Sequence, residues 1–403
     1  MQSKFEQIAS FIREKYNTPE GMIFLHEPRF NGNEKKYLTD CIETTFVSSV
    51  GKYVTRFEEM IAEFTGAKHA IAAVNGTAAL HIALLLCDVK PEDEVITQSL
   101  TFIATANAIA YTGAKPIFVD VDKDTMGLSP AALEAWLQAN AELRKVDITR
   151  IRGGSSLPPS GELKGAFNKL TGKRIKACVP MHTFGHPCRI DEIIAICNRY
   201  NIDVIEDAAE SLGSYYKEQH TGTFGKFGTL SFNGNKIITT GGGGMILTND
   251  DELAKFAKHI TTTAKVPHRW EFVHDMTAYN YRLTNLAAAL GCAQMEQLPG
   301  FLLQKRKLSE AYSSFFKHLR IDFVTEPENC TSNYWLNALI LQNKAEQNSF
   351  LEFMNNNEIM VRPVWQLMNR LEMYKDCQCD ALTNTEWLAD RVVNIPSSVI
   401  TNL

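Results

Sequence analysis

Short apolar runs alternate with helix-length stretches through the first half of the chain. Ala70–Val74 reads as a buried strand and Ala78–Leu86 as a helix, with the polar triplet Asn75-Gly76-Thr77 between them. Glu94–Gln98 predicts a strand, Ile103–Tyr111 a helix and Pro116–Val121 a strand. Further on, Ala177–Met181 reads as a strand, Asp191–Tyr200 as a helix and Asp203–Ile205 as a strand. This strand–helix rhythm predicts an α/β fold, a mostly parallel sheet flanked by helices. Such sheets bind ligands beyond the C-terminal ends of their strands, so the residues just after each strand are where chemistry is expected.

The alternation stops between Asn140 and Gly172. Gly153-Gly154-Ser155-Ser156 and Pro158-Pro159 read as a loop, and the rhythm resumes afterwards, so the segment is an insertion. From about Pro299 the character changes. Phe301–His318 has the spacing of an amphipathic helix, and later runs mix short strands with helices. The expected organisation is a helical arm over residues 1–20, a large α/β domain over 21–298 and a smaller C-terminal α+β domain over 299–403.

A chain of 403 residues with 45% apolar and 22% charged residues can bury a large core. The net charge of −5 gives no basic footprint, so nucleic acid is not an expected partner. Ala70–Cys87 is apolar, but Asn75, Gly76, Thr77 and His81 interrupt it. A strand, a tight turn and a buried helix account for it better than a membrane span. The nine cysteines are scattered, and Cys377 and Cys379 have no second pair to complete a zinc site. With no secretory signal at the start, a cytoplasmic protein with reduced thiols is expected. His182 and His186 have a ligand-like spacing, but Gly185 and Pro187 oppose the helix that metal ligation at that spacing prefers. No metal is expected.

Candidate chemistry gathers at the strand ends. Lys236 sits on a polar turn between the apolar runs Gly228–Phe232 and Met245–Leu247, followed by the glycines Gly241 to Gly244. A lysine amine so placed can condense with an aldehyde cofactor such as pyridoxal phosphate; the plain alternative is a surface lysine in a hairpin. Asn75-Gly76-Thr77 opens a helix, whose free N–H groups and positive dipole end suit a phosphate; its plain alternative is an N-cap at Thr77. Asp207, in Glu206-Asp207-Ala208-Ala209-Glu210-Ser211, could pair with a protonated pyridine nitrogen or simply begin the next helix. Phe102 could cover one face of a flat ring or belong to the core.

In this order, the segments resemble the DegT/DnrJ/StrS family of pyridoxal-phosphate-dependent sugar aminotransferases, of fold type I. The resemblance includes Arg56-Phe57-Glu58, Asn75 to Leu80, Thr101-Phe102, His182 to Gly185 and Glu206 to Ala209. It continues through Ser231 to Lys236, Tyr279 to Asn285, Arg362 to Trp365 and Asn394 to Ser398. It implies a cofactor, pyridoxal 5'-phosphate, bound in the large domain. Lys236 would carry the cofactor, Asp207 would pair with its ring nitrogen, Phe102 would stack on the ring, Gly76, Thr77 and Ser231 would hold the phosphate, and Ala78 would also contact the cofactor. The family builds its sites across a homodimer interface, so Asn280 would reach the phosphate of the neighbouring subunit. Glu210 and His182 would line the same pocket, and Trp365 and Met368 would approach the sugar. The substrates implied are L-glutamate and a nucleotide-linked keto sugar.

Gly242 stands where most members carry glutamate, the turn reads Asn233-Gly234-Asn235, and the insertion is present. These features resemble the subgroup acting on UDP-linked 4-keto-6-deoxy-N-acetylhexosamines; a GDP- or TDP-linked 3- or 4-keto sugar is the alternative. Related dehydratases carry histidine at the lysine position, and a non-catalytic regulator would have lost the lysine.

Overall fold

The computed structural model describes residues 2–146 and 164–400; the loop expected over Arg150–Gly161 lies outside them. Helix α1 (Gln2–Tyr16) repeats Phe5, Ile8 and Ile12 at helical spacing and buries that stripe beside Leu308, Tyr312 and Phe350, in the C-terminal part of the chain. α2 (Glu34–Glu43) and α3 (Lys52–Thr65) follow, α3 ending on Gly66 in the left-handed region.

The strand–helix series then begins: β1 (His69–Ala73), α4 (Gly76–Leu86), β2 (Glu94–Gln98), α5 (Ile103–Tyr111), β3 (Lys115–Val119) and α6 (Pro130–Asn140). β4 (Ala141–Lys145) and β5 (Lys164–Asn168) form an antiparallel pair at the edges of the expected insertion, and β5 joins the start of β6 (Arg174–Val179). α7 (Ile190–Arg199), β7 (Asp203–Asp207) and the small strands β8 (Tyr215–Tyr216) and β9 (Gln219–His220) lead to β10 (Phe227–Ser231) and β11 (Gly244–Thr248).

Apart from the β4–β5 pair, the large sheet runs β1-β11-β10-β7-β6-β2-β3. β10, β7, β6, β2 and β3 are parallel to one another, whereas β11 runs antiparallel to both β1 and β10. The chain builds outward from β2 to β3, then returns to the other side of β2 and proceeds through β6, β7 and β10. The switch between these directions lies between β2 and β6, where a doubly wound sheet opens a crevice.

Boundaries differ from the sequence expectation in informative places. β1 stops at Ala73, because the Val74 N–H leaves the sheet to donate to the Tyr281 carbonyl at 2.7 Å. β7 runs two residues past Ile205, carrying Glu206 and Asp207 in the strand itself. β6 starts early, at Arg174, where Lys176 pairs with Asp203 of β7 at 2.5 Å.

α8 (Asp251–Thr261) and the hairpin β12 (Lys265–Val266) and β13 (Val273–His274) lead into α9 (Asn285–Leu319), a single helix of 35 residues. The helix expected over Phe301–His318 is its second half, and residue 299, where the smaller domain was expected to begin, lies inside it. Pro299 and Gly300 are exposed, while Leu298 and Phe301 on either side are buried; packing carries the helix through residues that local propensity would end it on. Beyond it, β14 (Asp322–Phe323), β15 (Cys330–Thr331), β16 (Asn337–Ile340), α10 (Lys344–Asn356), β17 (Arg362–Pro363), α11 (Thr383–Ala389) and β18 (Val392–Ile395) complete the fold. β14, β16, β18 and β17 form a second, antiparallel sheet. Among the described residues no helix is long and apolar enough to cross a membrane.

Candidate active site

The start of α4 makes an anion cradle. Asn75, in extended conformation, is the N-cap, and its side chain accepts the Ala78 N–H at 2.7 Å. The cap expected at Thr77 therefore stands two residues earlier, and the Ala78 N–H is already bonded within the helix start. The first backbone bond of the helix is Ala79 N–H to Asn75 O. The N–H groups of Gly76 and Thr77 precede it and point off the helix end, toward its positive pole. A Cβ on Gly76 would lie 2.8 Å from Ser231 Cβ. Glycine there lets the helix start meet the end of β10, so two backbone donors and the Ser231 hydroxyl converge. Gly244 has the matching role on β11, where a side chain would run into the Asn75 carbonyl.

Asp207, 5% exposed at the end of β7, is held in one orientation. Its Oδ2 accepts the Thr105 hydroxyl at 2.7 Å, and its Oδ1 accepts the Ala209 N–H at 3.2 Å. No ion pair of Asp207 occurs among the described residues, so this buried carboxylate retains acceptor capacity for a cationic N–H.

Lys236 lies on the turn that leaves β10. Its Nζ is 3.1 Å from Glu210 Oε1 and 3.9 Å from the centre of the Trp335 ring. The other Glu210 oxygen accepts the Phe184 N–H at 2.9 Å. Burial, reinforced by the Asp207 charge, raises the Glu210 carboxyl to about 7, against the opposing pull of Lys236 and the Phe184 N–H. A raised folded-state value favours the protonated form, so this group's contribution to stability is present below about 4.5 and is lost as pH rises toward 7. Glu210→Gln removes it. Between those pH values, the unfolding free energy of cofactor-free wild type should fall relative to the variant by up to about 3 kcal/mol. Denaturant melts of both proteins over that range check this; parallel pH curves would refute it.

Phe102, the N-cap residue of α5, is 46% exposed and meets Trp365 edge-on at 6.1 Å. Trp365 also leans on Phe184, at 5.0 Å between centroids. Phe102 thus stands braced with an open face. Asn280 is exposed and bridges to Thr262 on the segment after α8.

Two expected pocket residues are engaged elsewhere. His182 is fully buried; its Nδ1 accepts the Cys188 N–H at 3.2 Å, so the proton is on Nε2, 3.0 Å from Glu206 Oε2. Glu206 in turn gathers the N–H groups of Gly222, Phe224 and Gly225 at 2.8, 2.7 and 2.8 Å. Both ring nitrogens of His182 are therefore taken, Nδ1 by the Cys188 N–H and Nε2 by Glu206, which also clamps the loop before β10, and neither is free for a sugar. Met368 is buried in an apolar cluster with Ala106, Phe118 and Tyr374, away from any open face. Sequence reasoning assigned no role to Thr105 or Trp335. Thr105 could have been found by its one-turn spacing from Thr101 beside Phe102; Trp335 carries no local signal at all. Among the described residues no cluster of His, Cys, Asp and Glu is placed to hold a metal.

A family model described as the DegT/DnrJ/EryC1/StrS aminotransferase family matches residues 28–148 and 161–402. The chain belongs to this family. Among its relatives, a GDP-perosamine synthase of Escherichia coli O157:H7 is 35% identical over 375 residues, 93% of each chain. A GDP-perosamine synthase of Caulobacter vibrioides is 35% identical over 380 residues, 93% of each chain. A putative pyridoxal phosphate-dependent aminotransferase, EpsN of Bacillus subtilis, is 36% identical over 353 residues, 87% of this chain and 84% of that one. Among solved structures, the Helicobacter pylori aminotransferase PseC superposes with a TM-score of 0.81 at 21% identity, covering 95% of each chain. The aminotransferase TlmJ of Streptoalloteichus hindustanus superposes at 0.80 and 23%, covering 94% of each. These two likenesses establish the fold, that of the type I aminotransferases.

This DegT/DnrJ/EryC1/StrS member is a pyridoxal-phosphate-dependent sugar aminotransferase. The residues present fit that cofactor: a cradle for its phosphate at Gly76, Thr77 and Ser231, an amine at Lys236 for its aldehyde, a buried carboxylate at Asp207 for its ring nitrogen and an open aromatic face at Phe102.

Proposed function

We propose that the enzyme moves the amino group of L-glutamate to the keto carbon of a GDP-linked keto sugar. The observation that carries the choice of nucleotide is the similarity to GDP-perosamine synthases, 34–35% identical over 93% of this chain. It displaces the UDP-linked sugar suggested by Gly242 to second place. Gly242 is exposed, and the nearest atom to a side chain there would be the Val74 carbonyl oxygen at 4.0 Å. Its lack of a side chain leaves open room without selecting a sugar, and the reading from it rests on the turn and insertion as well.

When bound, the cofactor supplies an electron sink for the carbon bearing the migrating amino group. The chain supplies the rest. The Gly76 and Thr77 N–H groups and the Ser231 hydroxyl would anchor the phosphate, and the open face of Phe102 would cover the ring. Asp207 would hold a proton on the ring nitrogen. Lys236 would take the α-proton from glutamate and, in the second half, deliver a proton to the former keto carbon of the sugar. Glu210, 3.1 Å from Nζ, is within reach to share that proton. Trp365, beside Phe102, is the aromatic best placed to meet the second substrate. We place the enzyme in the cytoplasm as a homodimer, with the exposed Asn280 reaching the phosphate of the neighbouring site.

Incubation with glutamate and GDP-, UDP- and TDP-linked 4-keto-6-deoxy sugars, followed by mass spectrometry of the products, tests this reading. The GDP sugar should be aminated with a kcat/KM roughly tenfold or more above the others. Preference for a UDP-linked N-acetyl sugar would overturn it.

A further inference from the structure

The turn that carries Lys236 is secured from a distant part of the chain. Asn233 and Asn235 are exposed, and within the turn the bonds are Lys236 N–H to Asn233 O at 3.0 Å and Asn233 Nδ2 to Asn235 Oδ1 at 3.0 Å. Exposed bonds of this kind hold a short polar turn weakly. Trp335, just before β16 and 3% exposed, adds two contacts from below. Its indole N–H donates to the Asn235 carbonyl at 2.7 Å, and its ring face lies 3.9 Å from Lys236 Nζ.

Trp335 is itself held at both ends of its backbone. Its N–H donates to Asn333 Oδ1 at 2.8 Å, and the Asn333 amide donates to the Glu210 and Leu212 carbonyls, each at 2.9 Å. Its carbonyl accepts Lys305 Nζ at 3.1 Å, and the same amine donates to the Ser397 carbonyl at 2.6 Å. Lys305 is buried on α9. Burial lowers it to about 7, and as amine or ammonium it keeps the two donors this arrangement uses. A lysine in this position ties the C-terminal segment, α9 and the backbone beneath the active-site turn into one unit.

We propose that Trp335, anchored by Lys305, is a positioning residue that sets the reach and orientation of Lys236. The proposal rests on Lys236 being the lysine that carries the cofactor. The ring gives the amine a stable place to stand, and the indole N–H fixes the carbonyl immediately before it. A reacting amine displaced by an ångström loses rate out of proportion to the displacement.

Three full-length variants separate the contributions. Trp335→Phe keeps the ring and deletes the N–H; Trp335→Leu deletes both; Lys305→Met deletes the anchor. After cofactor removal, the rate at which added pyridoxal phosphate becomes covalently bound, seen as the visible absorption band, should fall about five- to tenfold in Trp335→Phe and Lys305→Met. In Trp335→Leu it should fall about a hundredfold. kcat should fall in parallel, with KM for glutamate and for the sugar changed less than about twofold. If Trp335→Leu does not fold, Trp335→Phe decides. Variants that bind the cofactor covalently at the wild-type rate and keep kcat, losing thermal stability alone, would overturn the proposal. A wild type that never forms the band would instead overturn the reading of Lys236 beneath it.

Discussion

Lys236→Ala should abolish the visible band of the lysine-bound cofactor and lower turnover by about ten-thousandfold or more. Two losses combine. On the proposed mechanism, the variant lacks both the amine that would hold the cofactor covalently and the base that would move the proton. Alanine also leaves Glu210 without its ion partner at 3.1 Å, in a site where burial already favours the protonated acid, so the neighbouring carboxyl becomes neutral rather than substituting as a base. Phosphate anchoring should survive, because the Gly76–Ser231 cradle does not involve Lys236. The cofactor should therefore still bind, reversibly, and be lost on dialysis. Lys236→Arg is the control: it retains a cation for Glu210 but offers no nucleophile, and it should be as inactive as alanine. Substantial turnover in either variant would remove Lys236 from the chemistry.

Asp207→Asn should lower kcat by about a thousandfold while leaving cofactor binding within a few-fold. Asparagine has the shape of aspartate and can still accept the Thr105 hydroxyl, now at 2.7 Å from Oδ2. What it lacks is the second acceptor, now used by the Ala209 N–H at 3.2 Å, and above all the charge that would keep a proton on the ring nitrogen. A unit charge about 4 Å from that proton, at the effective dielectric of a protein site, contributes about 4 kcal/mol, or about three orders of magnitude in rate if the stabilisation is needed in the transition state. The same substitution should shift the visible band toward that of a neutral ring nitrogen. A variant retaining more than about a tenth of wild-type kcat would show that the ring nitrogen proton is held by some other group.

The parts of the site legible in the sequence are those set by short-range pattern. β2, α5 and the neighbourhood of β7 and β10 follow from apolar runs that are largely buried, β2 completely, and the residues after those runs are the ones that carry Phe102, Asp207 and Lys236. The helix start at Asn75-Gly76-Thr77 was readable as a place for a phosphate, but nothing local shows that the missing side chain of Gly76 makes room for Ser231. What escaped depends on partners far along the chain. The cap at Asn75 wins over Thr77 because its side chain reaches the Ala78 N–H, a choice that two adequate capping residues leave undecided locally. His182 looked like a pocket residue, but Glu206 and Cys188 occupy both its nitrogens. β11 inserts antiparallel between β1 and β10, and α9 continues through Pro299; tertiary packing overrides the local signal in both. Trp335 lies far from the turn it supports, and no spacing rule connects the two.

If the fold brings one lysine to the cofactor, a single residue should carry it. Borohydride reduction of the loaded enzyme, followed by proteolysis and peptide mass mapping, tests it most directly. The reduced cofactor should be found on Lys236 alone, in the peptide spanning the Asn233–Lys236 turn. Its appearance on Lys305, the other buried amine near Trp335, or on no lysine at all would contradict the account.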